Sequence, residues 1–365
     1  MTANRMIIFA ALCAVAAPLA AQEDGKNVYD VAFRSLPADV TKLPAEEPES
    51  WDFNFRPYGD SGLLWTDPIL QRDVAAGKDD GEKPATAINV SCDADGFTLL
   101  FLCVEPALAT SFAQTNDFPS PKIEFFFTPG DADTPKIEHY YQMYYSRGKL
   151  DEYPWLTKGR DFRPCLPYTS YREFVMKKSV LVQVSVPWEP LFDRLPIFDA
   201  RRENFWRLSV IRWGAVSQTW GGVVHQANQA GYIRWPAFTD EQKTAIMKGL
   251  LKKGWMAFTR QAEDLSFTVD RGWRGVVPLE APFRAAELKA DPRSYVNYNE
   301  DTGFRPILER LTGACKALAP TIGKFETLPM AEREAFYRKA SDMLFNFRYD
   351  VEEAYADYLG KQLFD

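Results

Sequence analysis

The chain has 365 residues, 46% of them hydrophobic and 25% charged. That is enough to bury one large core or two ordinary ones, and it excludes a disordered or collagen-like chain. A formal charge of −7 argues against a nucleic-acid-binding surface, which needs clustered Lys and Arg against phosphate.

Residues 1–21 carry one charge, Arg5, then an apolar run from Met6 to Ala17 and Pro18-Leu19-Ala20-Ala21. The pattern predicts a secretory signal peptide cut after Ala21, because such a run is short of the about 20 residues that span a bilayer. No later stretch is apolar enough to cross, so the expected mature protein is secreted, periplasmic or extracellular, with no membrane span and a charge of −8 once Arg5 is lost. Cys92, Cys103, Cys165 and Cys315 then remain, with three possible pairings or none. None has the Cys-x-x-Cys spacing of a zinc site, and all four read equally well as small buried hydrophobes.

Residues 22–50 are polar and proline-bearing, without helical or strand periodicity, and read as a leader or linker. Residues 51–238 change to short aromatic and β-branched runs punctuated by Pro, Gly and Asp, an all-β pattern. The clearest hairpin joins Ala87–Cys92 to Phe97–Val104 through Asp93-Ala94-Asp95-Gly96. Lys122–Phe127 alternates so that Ile123, Phe125 and Phe127 share one face and Glu124 and Phe126 the other. His139–Tyr145 is a further strand, and Val180, Val182, Val184 and Val186 mark the core face of another, ended by Pro187-Trp188. Phe205–Trp213 and Gly231–Trp235 complete at least seven strands, for which an antiparallel sandwich is the economical arrangement.

Residues 239–365 switch to helical periodicity. Helices are predicted at Asp240–Lys253, Phe304–Leu318 and Met330–Leu359, the last with an apolar stripe from Phe336 to Tyr358 that suits packing against the sandwich or neighbouring helices. This C-terminal α-helical extension is too short for a catalytic barrel of about 250 residues.

The chain has only two histidines, His139 and His225. A multi-histidine zinc site is excluded, and a Ser-His-Asp triad lacks its Gly-x-Ser-x-Gly elbow. Paired-carboxylate hydrolysis stays open, since sequence does not show which acids face each other. Asp79-Asp80, Asp93-Asp95 and Asp131-Asp133 read as solvated turns, with structural calcium as the alternative.

From Ile88 to Phe238 the order of features resembles the sandwich of family 9 carbohydrate-binding modules and the wider DOMON-like group. The matching pieces are the Val90–Val104 hairpin, Lys122–Phe127, Tyr140–Tyr144 before Arg147-Gly148, Val180–Trp188 with Leu191, Trp206-Arg207 with Arg212, and Trp220-Gly-Gly-Val-Val-His225 with Gly231-Tyr232-Ile233. The resemblance implies an exported, non-catalytic module that holds a glycan or oligosaccharide in a cleft on one sheet, and a secreted glycoside hydrolase or surface complex as partner. Physics supports aromatic platforms and oriented polar groups there, because a sugar offers apolar C–H faces and a ring of hydroxyls.

The candidate platform is Trp220, in a Gly-flanked segment, with Trp155 as a second and core packing as the alternative for either. Glu124 is either a ligand contact or a solvated or ion-paired strand carboxylate. Arg212 either grips hydroxyls or pairs with Glu124; His225 either bonds a hydroxyl or braces its loop. Gln142 and Tyr144 share a face and either line the cleft or cover the sheet. Two other readings stand beside this one: a DOMON-like electron-transfer domain holding b-type haem between Met143 and His225, and a carbohydrate-active hydrolase with unrecognised carboxylates.

Overall fold

A computed structural model describes residues 27–57, 85–104, 121–129, 140–146, 148–153, 163–176, 179–198, 205–213, 217–222, 230–263, 266–268, 295–298 and 301–364. The strands are β1 (Val28–Asp30), β2 (Ala32–Phe33), β3 (Arg56–Pro57), β4 (Ala85–Cys92), β5 (Gly96–Val104), β6 (Lys122–Thr128), β7 (Tyr141–Ser146), β8 (Lys149–Tyr153) and β9 (Ser170–Val175). They continue with β10 (Ser179–Pro187), β11 (Phe205–Trp213), β12 (Gln218–Trp220), β13 (Gly231–Arg234), β14 (Ser266–Thr268) and β15 (Tyr295–Asn297). The helices are α1 (Leu43–Glu46), α2 (Asp240–Glu263), α3 (Arg305–Lys316), α4 (Ala319–Ile322) and α5 (Met330–Phe364). No described helix is long and apolar enough to cross a membrane.

Two sheets form a sandwich. The eight-stranded sheet runs β1-β13-β11-β6-β7-β8, with β12 beside β11 and β3 beside β12, and the five-stranded sheet runs β2-β4-β5-β10-β9. Alternation sends Phe125, Met143, Leu208 and Val210 of one sheet inward against Ile88, Leu99, Phe101, Val182 and Val184 of the other, all in one buried cluster. The Asp93–Gly96 turn is an Asx turn, in which Asp93 Oδ1 accepts the N–H groups of Asp95 (2.9 Å) and Gly96 (3.2 Å).

Of the five-stranded sheet, β4 and β5 are buried on both faces along most of their length, which is why β5 reads as a near-continuous apolar run. Its outer face carries Ala85, Ala87, Leu100, Leu102, Val104 and Leu181, packed under Val40, Leu43, Trp51 and Phe53. The expected leader therefore contains structure from Val28 onward. β1 pairs in parallel with β13, and two residues later β2 pairs in parallel with β4, so the same short stretch edges both sheets. Strands of two or three residues have too few positions to show a period, and their backbone pairing needs none. These two pairs are the parallel exceptions in an otherwise antiparallel sandwich.

The helical extension joins the same core. Ile246, Leu250 and Phe258 of α2 and Tyr337, Leu344 and Phe347 of α5 belong to the cluster that fills the sandwich. Docking falls on one end of it. The Tyr337 hydroxyl donates to Phe192 O at 2.9 Å, Phe192 stacks on Phe345 with centroids 4.7 Å apart, and Lys253 pairs with Glu189 at 3.1 Å. Arg163 donates to Phe345 O at 2.8 Å and to the Asn346 side chain, with its guanidinium 4.7 Å from the Phe192 ring centroid.

Glu152 holds the neighbouring segment by accepting the N–H groups of Cys165 and Leu166, each at 2.9 Å. Burial pushes its carboxyl above the ordinary carboxylate range, and these two bonds offset only part of that. A raised acid pKa means that the folded chain keeps a proton the unfolded chain has released. The contribution of this group to stability is therefore largest in acid and declines as pH rises from the ordinary value through the raised one. In a carbon-detected NMR titration Glu152 is expected to titrate after the exposed glutamates; a midpoint at or below theirs would refute the assignment.

Two glycines give a contrast in stability. A Cβ on Gly96 would lie 2.3 Å from Val186 O and 2.7 Å from Pro187 Cα, whereas one on Gly249 in α2 would meet nothing within 4 Å. Gly96→Ala is expected to cost about 1–3 kcal/mol, and Gly249→Ala to add about 0.5–1 kcal/mol, both read from denaturant unfolding.

Candidate functional site

The outer face of the eight-stranded sheet is where polar and aromatic side chains converge. Strand register lays them out in rungs. Ile211, Glu124, Tyr144 and Asp151 form one across β11, β6, β7 and β8, and Ser209, Phe126, Gln142 and Tyr153 form the next. Neighbouring strands set adjacent members about 4.8 Å apart.

Glu124 sits at the centre, half-buried. Its Oε1 accepts from Gln142 Nε2 at 2.5 Å and its Oε2 from Trp213 Nε1 at 2.8 Å. The carboxylate is thereby fixed in orientation, with one protein donor shown on each oxygen and lone pairs left over. Gln142 is buried, and its Oε1 has no hydrogen-bond partner. An unsatisfied buried polar atom of this kind is destabilising. Trp213, Tyr144 and Tyr140 are half-buried at the margins. Burial pushes the Tyr140 phenol up, and the negative charge of Glu124 adds to it. Further along the face the Arg207 guanidinium lies 5.6 Å from the centroid of the Tyr232 ring.

The structure thus brings together Glu124, Gln142 and Tyr144. It sends Arg212 and Trp220 to the opposite, inner face. Arg212 follows Leu208 and Val210 in alternation, is 3% exposed, and donates to Ala85 O (2.8 Å), Thr86 Oγ1 (3.0 Å) and Val104 O (3.4 Å) of the facing sheet. It braces the sandwich, and neither grips an exposed ligand nor faces Glu124.

Trp220 pairs with Val210 across β12 and β11 and is 0% exposed, its indole N–H donating to Asp52 Oδ2 at 2.8 Å. An indole sealed in this way offers no stacking face. The flanking glycines have a local role: Gly221 has φ +79°, and a Cβ there would lie 2.5 Å from Leu208 O. His225 and Trp155 lie outside the described residues. Trp213 is the aromatic that sequence reasoning passed over. The same alternation that puts Trp206 inside puts Trp213 outside, seven residues along β11.

The other expectations resolve as follows. Met143, a nominal haem ligand, is fully buried on the inner face of β7. Asp93 is spent on its turn, Asp79-Asp80 and Asp131-Asp133 lie outside the described residues, and no metal-binding cluster of His, Cys, Asp and Glu occurs among the described residues. Asp151 shares the outer face with Glu124 but stands two strands away, roughly 10 Å by strand spacing, and pairs with Lys149 at 2.7 Å. Cys92, Cys103, Cys165 and Cys315 are all free and buried, and burial pushes their thiols up, that of Cys315 to about 12.

These features define a two-sheet β-sandwich with a docked helical extension and a polar, aromatic-rimmed outer face. No family model matches the chain, and no curated protein sequence matches it. Among solved structures it is similar to a family 9 carbohydrate-binding module from Caldicellulosiruptor kristjanssonii. In complex with cellotriose, that module aligns at 9% identity and a TM-score of 0.37, over 59% of this chain and 96% of that one. In complex with glucose the values are 9%, 0.35, 59% and 98%. The likeness is loose, and the sandwich rests on the strand pairing itself.

Trp220→Ala and Arg212→Ala are expected to destabilise by about 3–5 and 2–4 kcal/mol. Trp213→Phe, which removes one N–H from a half-exposed ring, should stay within about 1.5 kcal/mol of wild type. Denaturant melts of the three variants check this; wild-type stability in Trp220→Ala would contradict its interior position.

Proposed function

We propose that this is a secreted, non-catalytic carbohydrate-binding protein whose glycan lies against the outer face of the eight-stranded sheet, around Glu124. The observation that carries the reading is the Glu124–Gln142–Trp213 array. It has a carboxylate locked by two donors, a neighbouring buried amide oxygen without a partner, and half-exposed rings beside both. A sugar hydroxyl can donate to a free lone pair of Glu124 while the C–H face of its ring covers Trp213 or Tyr144. Strands hold these groups rigidly, which lowers the ordering cost of binding.

Export is supported by the signal-like residues 1–21, and burial of the described thiols suits an oxidising compartment, since a protonated, enclosed sulfur is a poor nucleophile. Helix docking at Phe192 and Glu189 lies towards the other end of the sandwich from Trp213, and the partner implied for such a module is a glycoside hydrolase or a surface complex.

A glycan array followed by calorimetry tests the proposal. Glu124→Gln is expected to weaken the strongest-bound glycan about tenfold or more, with thermal unfolding close to wild type, and Gln142→Ala to weaken it too while also lowering stability, since that side chain is buried. Absence of binding to every glycan, or unchanged affinity in Glu124→Gln, would overturn it.

A further inference from the structure

On the far side of the molecule a pocket opens between the N-terminal stretch and the outer face of the five-stranded sheet. Its volume is about 390 Å³, within the range of small-ligand sites. That sheet face changes character halfway along. One half is the apolar patch packed under Trp51 and Phe53. The other half is a rung of four hydroxyls, Ser91, Thr98, Ser185 and Ser170, lined up across β4, β5, β10 and β9 by strand register. All four line the pocket. Thr98 and Ser185 bond each other at 2.9 Å and Gln183 Nε2 donates to Ser185 Oγ at 3.2 Å, so the row is fixed in orientation and keeps hydroxyl valences that a ligand rich in hydroxyls can meet.

Two guanidiniums meet that row. Arg172 lies one rung along, opposite Gln183, is exposed, and has no acidic partner among the described residues. Arg34 stands in the facing wall, where its Nη1 is held by Glu47 while its buried Nε has no partner. The acids at the pocket mouth are engaged elsewhere, Asp93 in its turn and Asp95 with Lys253 at 3.5 Å. Tyr168, 53% exposed, supplies a ring at the rim. We infer that this pocket is a second saccharide site selective for a carboxylated sugar, in which the hydroxyl row and Tyr168 take the ring and the exposed Arg172 takes the carboxylate.

The inference is independent of the site around Glu124, which lies on the other sheet. Calorimetry of the full chain with trigalacturonate, and with cellotriose as the neutral control, tests it. Trigalacturonate is expected to bind with an affinity that falls as salt rises. Arg172→Ala should weaken it about tenfold and Tyr168→Ala several-fold, while Glu124→Gln leaves it unchanged. Both pocket residues are exposed, so thermal unfolding should match wild type. No binding of trigalacturonate, equal affinity for cellotriose in the same pocket, or binding that survives Arg172→Ala would each overturn the assignment. Loss of cellotriose binding in Glu124→Gln with trigalacturonate binding intact separates the two sites.

Discussion

Closure of the two sheets depends on one ring. Phe97, the first inward residue of β5, makes edge contacts with Phe127 (5.5 Å), Trp206 (5.7 Å) and Trp235 (5.6 Å) and a tilted contact with Trp188 (5.6 Å). Edge-on packing matches the positive rim of one ring to the negative face of the next, so the sheets close at a defined angle and spacing. Trp188 also leads into the turn that carries Glu189 and Phe192, where the helices dock. The aromatic cluster therefore sets the position of the helical extension as well as the sandwich.

With the inner faces committed to packing, chemistry is left to the positions of opposite parity. On β11 the even residues Trp206, Leu208, Val210 and Arg212 point inward and the odd residues Arg207, Ser209, Ile211 and Trp213 outward. The polar Arg212 on the inner row spans the gap to Ala85 O and Val104 O, giving the sandwich a hydrogen-bonded end opposite its aromatic one. Between these two ends Glu124 is held by groups that share its outward parity. Rigid strands thus take the place of a loop in orienting the site.

Much of this was legible in the sequence. Regular alternation in Lys122–Phe127 and Val180–Val186 placed Glu124 outside and the valines inside, and the uninterrupted C-terminal periodicity placed α5. Trp220 and Arg212 were read by residue type, as a tryptophan beside glycines and an arginine beside an aromatic strand, although the parity of β11 already assigned Arg212 to the core. Trp220 carried no such signal, because β12 has only three residues and its face follows from pairing with β11. The hydroxyl rung of the five-stranded sheet was hidden for a related reason: each strand contributes a single Ser or Thr, and only the register gathers them.

The passage of the chain from one sheet to the other at Val31 has a consequence for any trimming of the preceding residues. Its N–H bonds Arg234 O, and three residues later the N–H of Arg34 bonds Cys92 O, so a few amino acids seal an otherwise bare border on each layer. Exposed borders recruit other polypeptides by strand addition. Proteolytic trimming that stops short of Val28 keeps both seams shut, whereas a cut beyond Phe33 would unseal two layers in a single event and bare both edges to strand addition.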